Sequence, residues 1–182
     1  MPNIFESLIA TIKTSLDYDT KHPLHTGEVM SCWVYYTALK EFIRYEEVGM
    51  NTTIDDELLR LLHDAKKLCE SQVKQLESFM VKEGIPLPDL PSPKPKSDPK
   101  DIPMGAKLTD DEIVNGISLK VAVAIMNAAT TQSQAIRNDV GGMMAKFQIE
   151  MLVFGSTLKT IMRKRGWLRV PPFYNPPGKL DS

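Results

Sequence analysis

The sequence predicts an all-α fold: four long helices closed into a bundle, an extra amphipathic helix at the N-terminus, and one long proline-rich crossover. Three observations carry this. Apolar residues recur at spacings of three and four through most of the chain, the period of helices with one buried face. The stretch ISLKVAVAIMNAATTQSQAI, residues 117–136, holds no Asp, Glu, Pro or His and has Lys120 as its one charge. Its Ile117, Val121, Ala124, Ile125, Ala128, Gln132, Ala135 and Ile136 share a helical face, so it is expected as a central, largely buried helix. Finally, seven of the 13 prolines fall within residues 84–108, where a helix cannot continue.

A chain of 182 residues suits one domain, 1–182, with a real core. A net charge of −1 and a pI near 6.3 give no broad attraction for nucleic acid or anionic lipid. No long uncharged apolar run of membrane-spanning length is apparent, and MPNIFESLIATIK lacks the basic start of a secretory leader. With only Cys32 and Cys69, a disulfide framework is not needed, and a reducing, cytoplasmic setting is the default. The two thiols lie nearly equidistant from a turn at Asn51. A bridge is possible, but helix axes about 8–10 Å apart favour free buried thiols.

In order, residues 1–22 begin with an amphipathic helix carrying Ile4, Phe5, Leu8, Ile9, Ile12 and Leu16. The first long helix is expected over 26–48, capped by Thr26 and stopped by Gly49. The second runs over 55–83, opened by Asp55, Asp56 and Glu57 and ended by Gly84. The third opens at LTDDEI, with Thr109 or Asp110 as cap. Arg137-Asn138-Asp139 offers a break, after which a fourth helix is expected over 140–165, with Arg163–Arg165 favourable at its negative end and Gly166 as stop. In the tail, 166–182, Trp167, Phe173 and Tyr174 are expected to pack back onto the bundle.

The crossover decides the topology. At about 3.1 Å per residue, some 25 extended residues reach roughly 75 Å, whereas the second helix spans only about 45 Å. The third helix is therefore expected parallel to the second, as in ferritin-like four-helix bundles with one long crossover.

That topology raises the question of a carboxylate di-metal centre, which takes Glu from two helices and Glu-x-x-His from the other two. No Glu-x-x-His occurs, and the third helix has no Glu or His after Glu112. The weak metal candidates are His25, Glu28, His63, Glu70 and Glu150. His63 should lie roughly 20 Å above Glu28 along the bundle, so those two cannot share an ion. Glu70 and Glu150 could meet at mid-height, but two carboxylates alone make a poor site. His25 and Glu28 share a helix start, where capping with a solvated histidine outweighs an acid–base pair. Gly141-Gly142 follows no strand and is not a nucleotide loop. Lys159 with Arg163–Arg165 reads as a solvated helix end rather than a phosphate site. No Ser/His/Asp set is recognisable.

Several stretches together carry a family likeness: PLHTGEVMSCW (23–33), CESQVKQLESFMVKEGIPLP (69–88), KPKSDPKDIPMGAKLTDDEI (94–113), QAIRNDVGGMMAKF (134–147) and GWLRVPPFY (166–174). The chain resembles a family of uncharacterised ferritin-like proteins of Bacillus-type spore formers, the spore-coat-F-like proteins, over nearly its whole length. The resemblance implies a ferritin-like bundle and a link to sporulation or the spore coat, and no established catalytic activity. It also implies a histidine in relatives where Gln148 stands here, close to Glu150.

The expectation is a non-enzymatic structural or interaction protein, spore-coat-like, with no cofactor. It should work in the cytoplasm or the spore coat as a homo-oligomer or with other coat-type proteins, without nucleic acid or a membrane span. The alternatives are a metal-binding ferritin-like protein with a degenerate carboxylate/His site, and a small-ligand carrier with a cavity between helices.

Overall fold

The computed structural model describes residues 6, 22–90 and 92–174. The expected N-terminal amphipathic helix and the last part of the tail lie outside them. The described residues form four helices and no strand: α1 (Thr26–Thr52), α2 (Asp56–Lys82), α3 (Asp110–Gln134) and α4 (Asn138–Arg165).

Local chemistry sets most boundaries. Asp55 caps α2 by accepting from the Leu58 amide at 2.9 Å, and Thr109 and Glu112 form a reciprocal capping box on α3. Gly166 stops α4 in the left-handed conformation at φ 70°, where a side chain would be strained. Three expectations need correction. The cap of α1 is His25, not Thr26. Its Nδ1 accepts from the Gly27 and Glu28 amides at 3.0 and 3.3 Å, and Glu28 accepts from the His25 amide at 3.1 Å. Gly49 does not stop α1, which runs on to Thr52. A Cβ at Gly49 would stand 3.0 Å from Leu62 and 3.2 Å from Ile113, so this glycine permits close helix packing. In α4 the helix opens at Asn138, two residues before Val140, with no side-chain cap bond.

Tie points at the ends fix the helix directions. The Thr53 hydroxyl donates to Asp110 at 2.6 Å, and the Tyr45 hydroxyl donates to the carbonyls of Glu112 and Ile113, so α3 begins where α1 ends. At the opposite end Glu28 Oε1 accepts from the amides of Ile136 and Arg137 at 2.9 and 2.8 Å. Thus α3 runs antiparallel to α1 and parallel to α2, as the long crossover predicts. Arg165 reaches Asp55 and Glu57, which sets α4 antiparallel to α2. The crossover starts with buried Ile85 and packs Leu90 on the core. It is then pinned beside the end of α1, where the Lys94 amide donates to Glu47 at 2.9 Å and the Asn51 amide group donates to the Pro95 carbonyl at 2.8 Å.

The core is two stacked apolar clusters. One joins Tyr35, Leu39, Leu76, Met80, Met144 and Phe147, with the rings of Tyr35 and Phe147 stacked at 5.7 Å. The other joins Leu58, Leu62, Ile113, Ile117 and Leu158. Burial of α3 is narrower than expected. It is long and apolar enough to cross a membrane by length and composition, yet only 33% of its most apolar window is buried. It packs against α1 on one side and α4 on the other, which leaves its remaining surface, Ile136 beyond it included, outside. The tail also differs. Trp167 and Leu168 pack on the second cluster, with the Arg165 guanidinium 5.3 Å from the Trp167 ring centroid. Phe173 and Tyr174 stand exposed, carried outward by the stiff Pro171-Pro172 pair.

The end of the bundle holding Glu28 is closed by buried Arg137. Its guanidinium donates to Glu83 at 2.6 and 2.9 Å and to Asp139 at 3.0 and 2.7 Å, and it lies 5.7 Å from the Phe79 ring centroid. Paired charge-assisted bonds of this kind fix geometry as well as adding energy.

Two outcomes follow. Glu28→Gln sets an amide NH2 against one of the three backbone N–H groups that the carboxylate accepts, and should cost about 2–3 kcal/mol in urea unfolding. An unchanged midpoint would show those amides to be satisfied elsewhere. At Gly116 a Cβ would come within 2.0 Å of the Tyr45 hydroxyl. Gly116→Ala should therefore lower stability by about 1–3 kcal/mol by overpacking, and combining it with Tyr45→Ala should cost less than the two changes separately.

Candidate functional site at mid-bundle

The apolar stripe of α1 passes through Leu39, Phe42 and Ile43 and then meets an acid, Glu46. The spacing leaves its side chain no outward route, and Glu46 is 3% exposed. On α2 the same logic turns Cys69 and Gln72 inward beside Ala65, Val73 and Leu76. Lys120 is the charge that α3 contributes. Its ammonium lies 4.6 Å from the Phe42 ring centroid and 4.5 Å from that of Tyr45, distances at which an aromatic face attracts a cation.

The Cys69 thiol donates to Glu46 Oε1 at 3.6 Å, while Oε2, equally buried, has no hydrogen-bond partner. Both residues, with Lys120, Phe42, Ile117 and Met151, line a cavity of about 10 Å³, room for about one water. Burial pushes the Glu46 carboxyl up to about 8, and the Cys69 thiol and Lys120 offset this only in part. The same desolvation lowers Lys120 and raises the Cys69 thiol well above its ordinary range, with the nearby Glu46 adding to it. Cys32, also free, is pushed up to about 12 by burial and by Glu28. Neither thiol is a thiolate near neutrality, so neither is an activated nucleophile.

A second polar thread crosses the interior. The Tyr35 hydroxyl donates to Gln72 Oε1 at 3.0 Å. The Gln72 amide group donates in turn to Glu150 at 2.9 Å and to the Phe147 carbonyl at 3.3 Å. Burial raises the Tyr35 phenol, which keeps it a donor.

The five acids and histidines weighed from sequence are dispersed. His25 and Glu28 do meet, with Nε2 and Oε2 3.7 Å apart, but Glu28 is engaged with three backbone amides. His63 is exposed on α2. Glu70 faces outward and pairs with Lys66 at 3.7 Å, while Glu150 is turned to Gln72 and to Lys146. Among the described residues no group of three or more His, Cys, Asp or Glu is placed to hold a metal ion. Glu46 was not singled out from sequence. The signal was present, an acid four residues after Phe42 and three after Ile43 on the core stripe. An open groove of about 550 Å³ lies between α1 and α2, lined by Lys40, Arg44, Lys74, Lys82, Glu70 and Glu77 among others.

Residues 14–180 match the family described as "Protein of unknown function (DUF3231)". The chain is 27% identical over 152 residues to the uncharacterized protein YvdQ of Bacillus subtilis, covering 84% of this chain and 89% of that protein. Its fold is shared with a Bacillus halodurans crystal structure of a protein described as a candidate for the spore coat: TM-score 0.83, 32% identity, 85% of this chain and 98% of the other. A DUF305 fragment from Deinococcus radiodurans has the same arrangement of helices at 12% identity, with a TM-score of 0.64 over 79% of this chain and 99% of that one.

The Glu46 carboxyl sets a pH dependence. Its folded-state value of about 8 lies above the ordinary 4.5, so between those values the folded chain holds a proton that the unfolded chain has lost. Stability therefore falls as pH rises through that window, by on the order of 5 kcal/mol in full, and levels off above it. Glu46→Gln should gain little thermal stability over the parent at pH 5 and most at pH 9. A gain independent of pH would mean that this carboxyl ionises normally in the folded state.

Proposed function

This chain belongs to the DUF3231 family, and we propose that it is a non-enzymatic structural or interaction protein of the spore-coat type. The observation that carries this is the likeness to the Bacillus halodurans candidate coat protein, which spans 98% of that chain at 32% identity. We read the bundle as ferritin-like in topology, since its long crossover makes α2 and α3 parallel, and as a scaffold rather than a metal centre. The buried acid Glu46 has a thiol and an ammonium for company. The nearby Lys120 ammonium repels a metal ion and adds no ligand. The cavity of about 10 Å³ beside Glu46 is far below the roughly 300 Å³ of ordinary ligand pockets, and the larger α1–α2 groove is open and lined by charged side chains where such pockets are enclosed and mostly apolar, which favours a scaffold over a small-ligand carrier. Its partners are then copies of itself or other coat-type proteins, and its place is the spore coat or the cytoplasm before assembly.

A tagged copy produced in sporulating Bacillus cells should be recovered in the coat extract. Recovery from the soluble fraction alone at every stage would count against the coat reading. Elemental analysis of protein purified without added metal separates the alternative. One or more equivalents of iron, manganese or zinc per chain would move the assignment to a metal-binding bundle.

A further inference from the structure

We propose that the outer face of the α3–α4 hairpin is the surface through which two copies of this chain associate; this rests on the interaction-protein reading above. The face is apolar well beyond the needs of the chain's own core. Leu119 and Met126 on α3 are 68% and 58% exposed, and Leu152 and Val153 on α4 are 50% and 65% exposed, with Ile149 beside them. The best window of α3 has a mean hydropathy of 1.5 and is one-third buried: Ile113, Ile117 and Val121 face the core, while Leu119 and Met126 face away from the bundle.

Over about 15 residues of each helix, about 22 Å, charge stands only at the edge of this face, where the Lys146 side chain is 53% exposed. Between Glu112 and Arg137 the one charged residue of α3 is Lys120, and it is turned aside onto the Phe42 and Tyr45 rings of α1. On α4, Lys146 and Glu150 lean the other way, to Gln75 and Gln72 of α2. Two helices about 10 Å apart make this strip roughly 20 Å wide. Its flat footprint is then about 450 Å², more along the corrugated surface, and two copies would cover about 1,000–1,200 Å². That reaches the roughly 1,000 Å² that a specific interface needs, and the share of each copy lies in the upper part of the range of apolar patch that a monomer ordinarily leaves bare.

The occupant is a second copy for two reasons. In a two-fold contact each patch meets itself, so an uncharged patch meets no like charge, whereas a charged partner would find nothing here to pair with. The chain's own amphipathic N-terminal stretch, Ile4 to Leu16 in sequence, would as a helix be about 20 Å long and 10 Å wide. That is half the strip.

Sedimentation equilibrium on the full chain tests this. The parent should dimerise, with Met126→Glu and Leu152→Glu weakening the dimer at least tenfold while leaving helicity unchanged, and Tm unchanged at concentrations where parent and variants are all monomeric. Val81→Glu, an exposed apolar position on α2, should weaken it less than twofold. A dimer indifferent to both α3–α4 variants would overturn the surface while leaving self-association standing. A parent that stays monomeric at several hundred micromolar would overturn the inference, and the coat-extract experiment would still be read on its own. A photo-crosslinker at position 126 in a mixture of light and heavy chains should give mixed-isotope products. Crosslinks only within one chain, to residues 4–16, would overturn the proposal, as would binding of monomer to neutral phosphatidylcholine vesicles that Met126→Glu abolishes.

Discussion

The bundle depends on one carboxylate turned inward at its end. A connection as short as that between α3 and α4 leaves backbone N–H groups inside with no helical partner. Glu28 accepts from two of them, at Ile136 and Arg137, and from its own helix cap at His25. The turn so held presents the Arg137 side chain to Glu83 and Asp139. Starts and ends of all four helices thereby meet through a few charge-assisted bonds. At the other end the Thr53–Asp110 and Arg165–Asp55 contacts do the same work with less burial.

Much of the architecture was legible from local chemistry. The four long helices, the Asp55 and Thr109 caps and the Gly166 stop are properties of a few adjacent residues, and the parallel course of α2 and α3 follows from proline content and length. What was not legible depends on neighbours distant in sequence. Gly49 has the composition of a stop but the environment of a packing contact, because Leu62 and Ile113 crowd it. The exposed rings of Phe173 and Tyr174 likewise reflect where a stiff tail happens to point.

The mid-bundle site was legible least. Reading for metal chemistry selects histidines and acids by type, and of the five so chosen His63 and Glu70 lie on the surface, while Glu28 serves backbone amides. Glu46 sits where periodicity alone would have sent it, on the core face of α1. Its importance lies in the company that α2 and α3 bring, Cys69 and Lys120, and no spacing within one helix announces that. The extra apolar surface of α3 was hidden for the opposite reason. Its composition suggested a largely buried helix, whereas a corner position between α1 and α4 leaves its outer face uncovered.

The strap between α2 and α3 also governs how the chain reaches this state. The contacts within α1–α2 and within α3–α4 join segments near in sequence, while the Glu28–Arg137 bonds close a loop of 109 residues. Folding then amounts to two hairpins meeting on a tether of about 25 residues, semi-rigid because it is Pro-rich, which makes their encounter intramolecular. Proteolysis within the exposed stretch of the tether near Lys96 would turn that encounter from unimolecular to bimolecular. The nicked protein would keep its shape once folded and, after denaturation, recover it at a rate that depends on dilution.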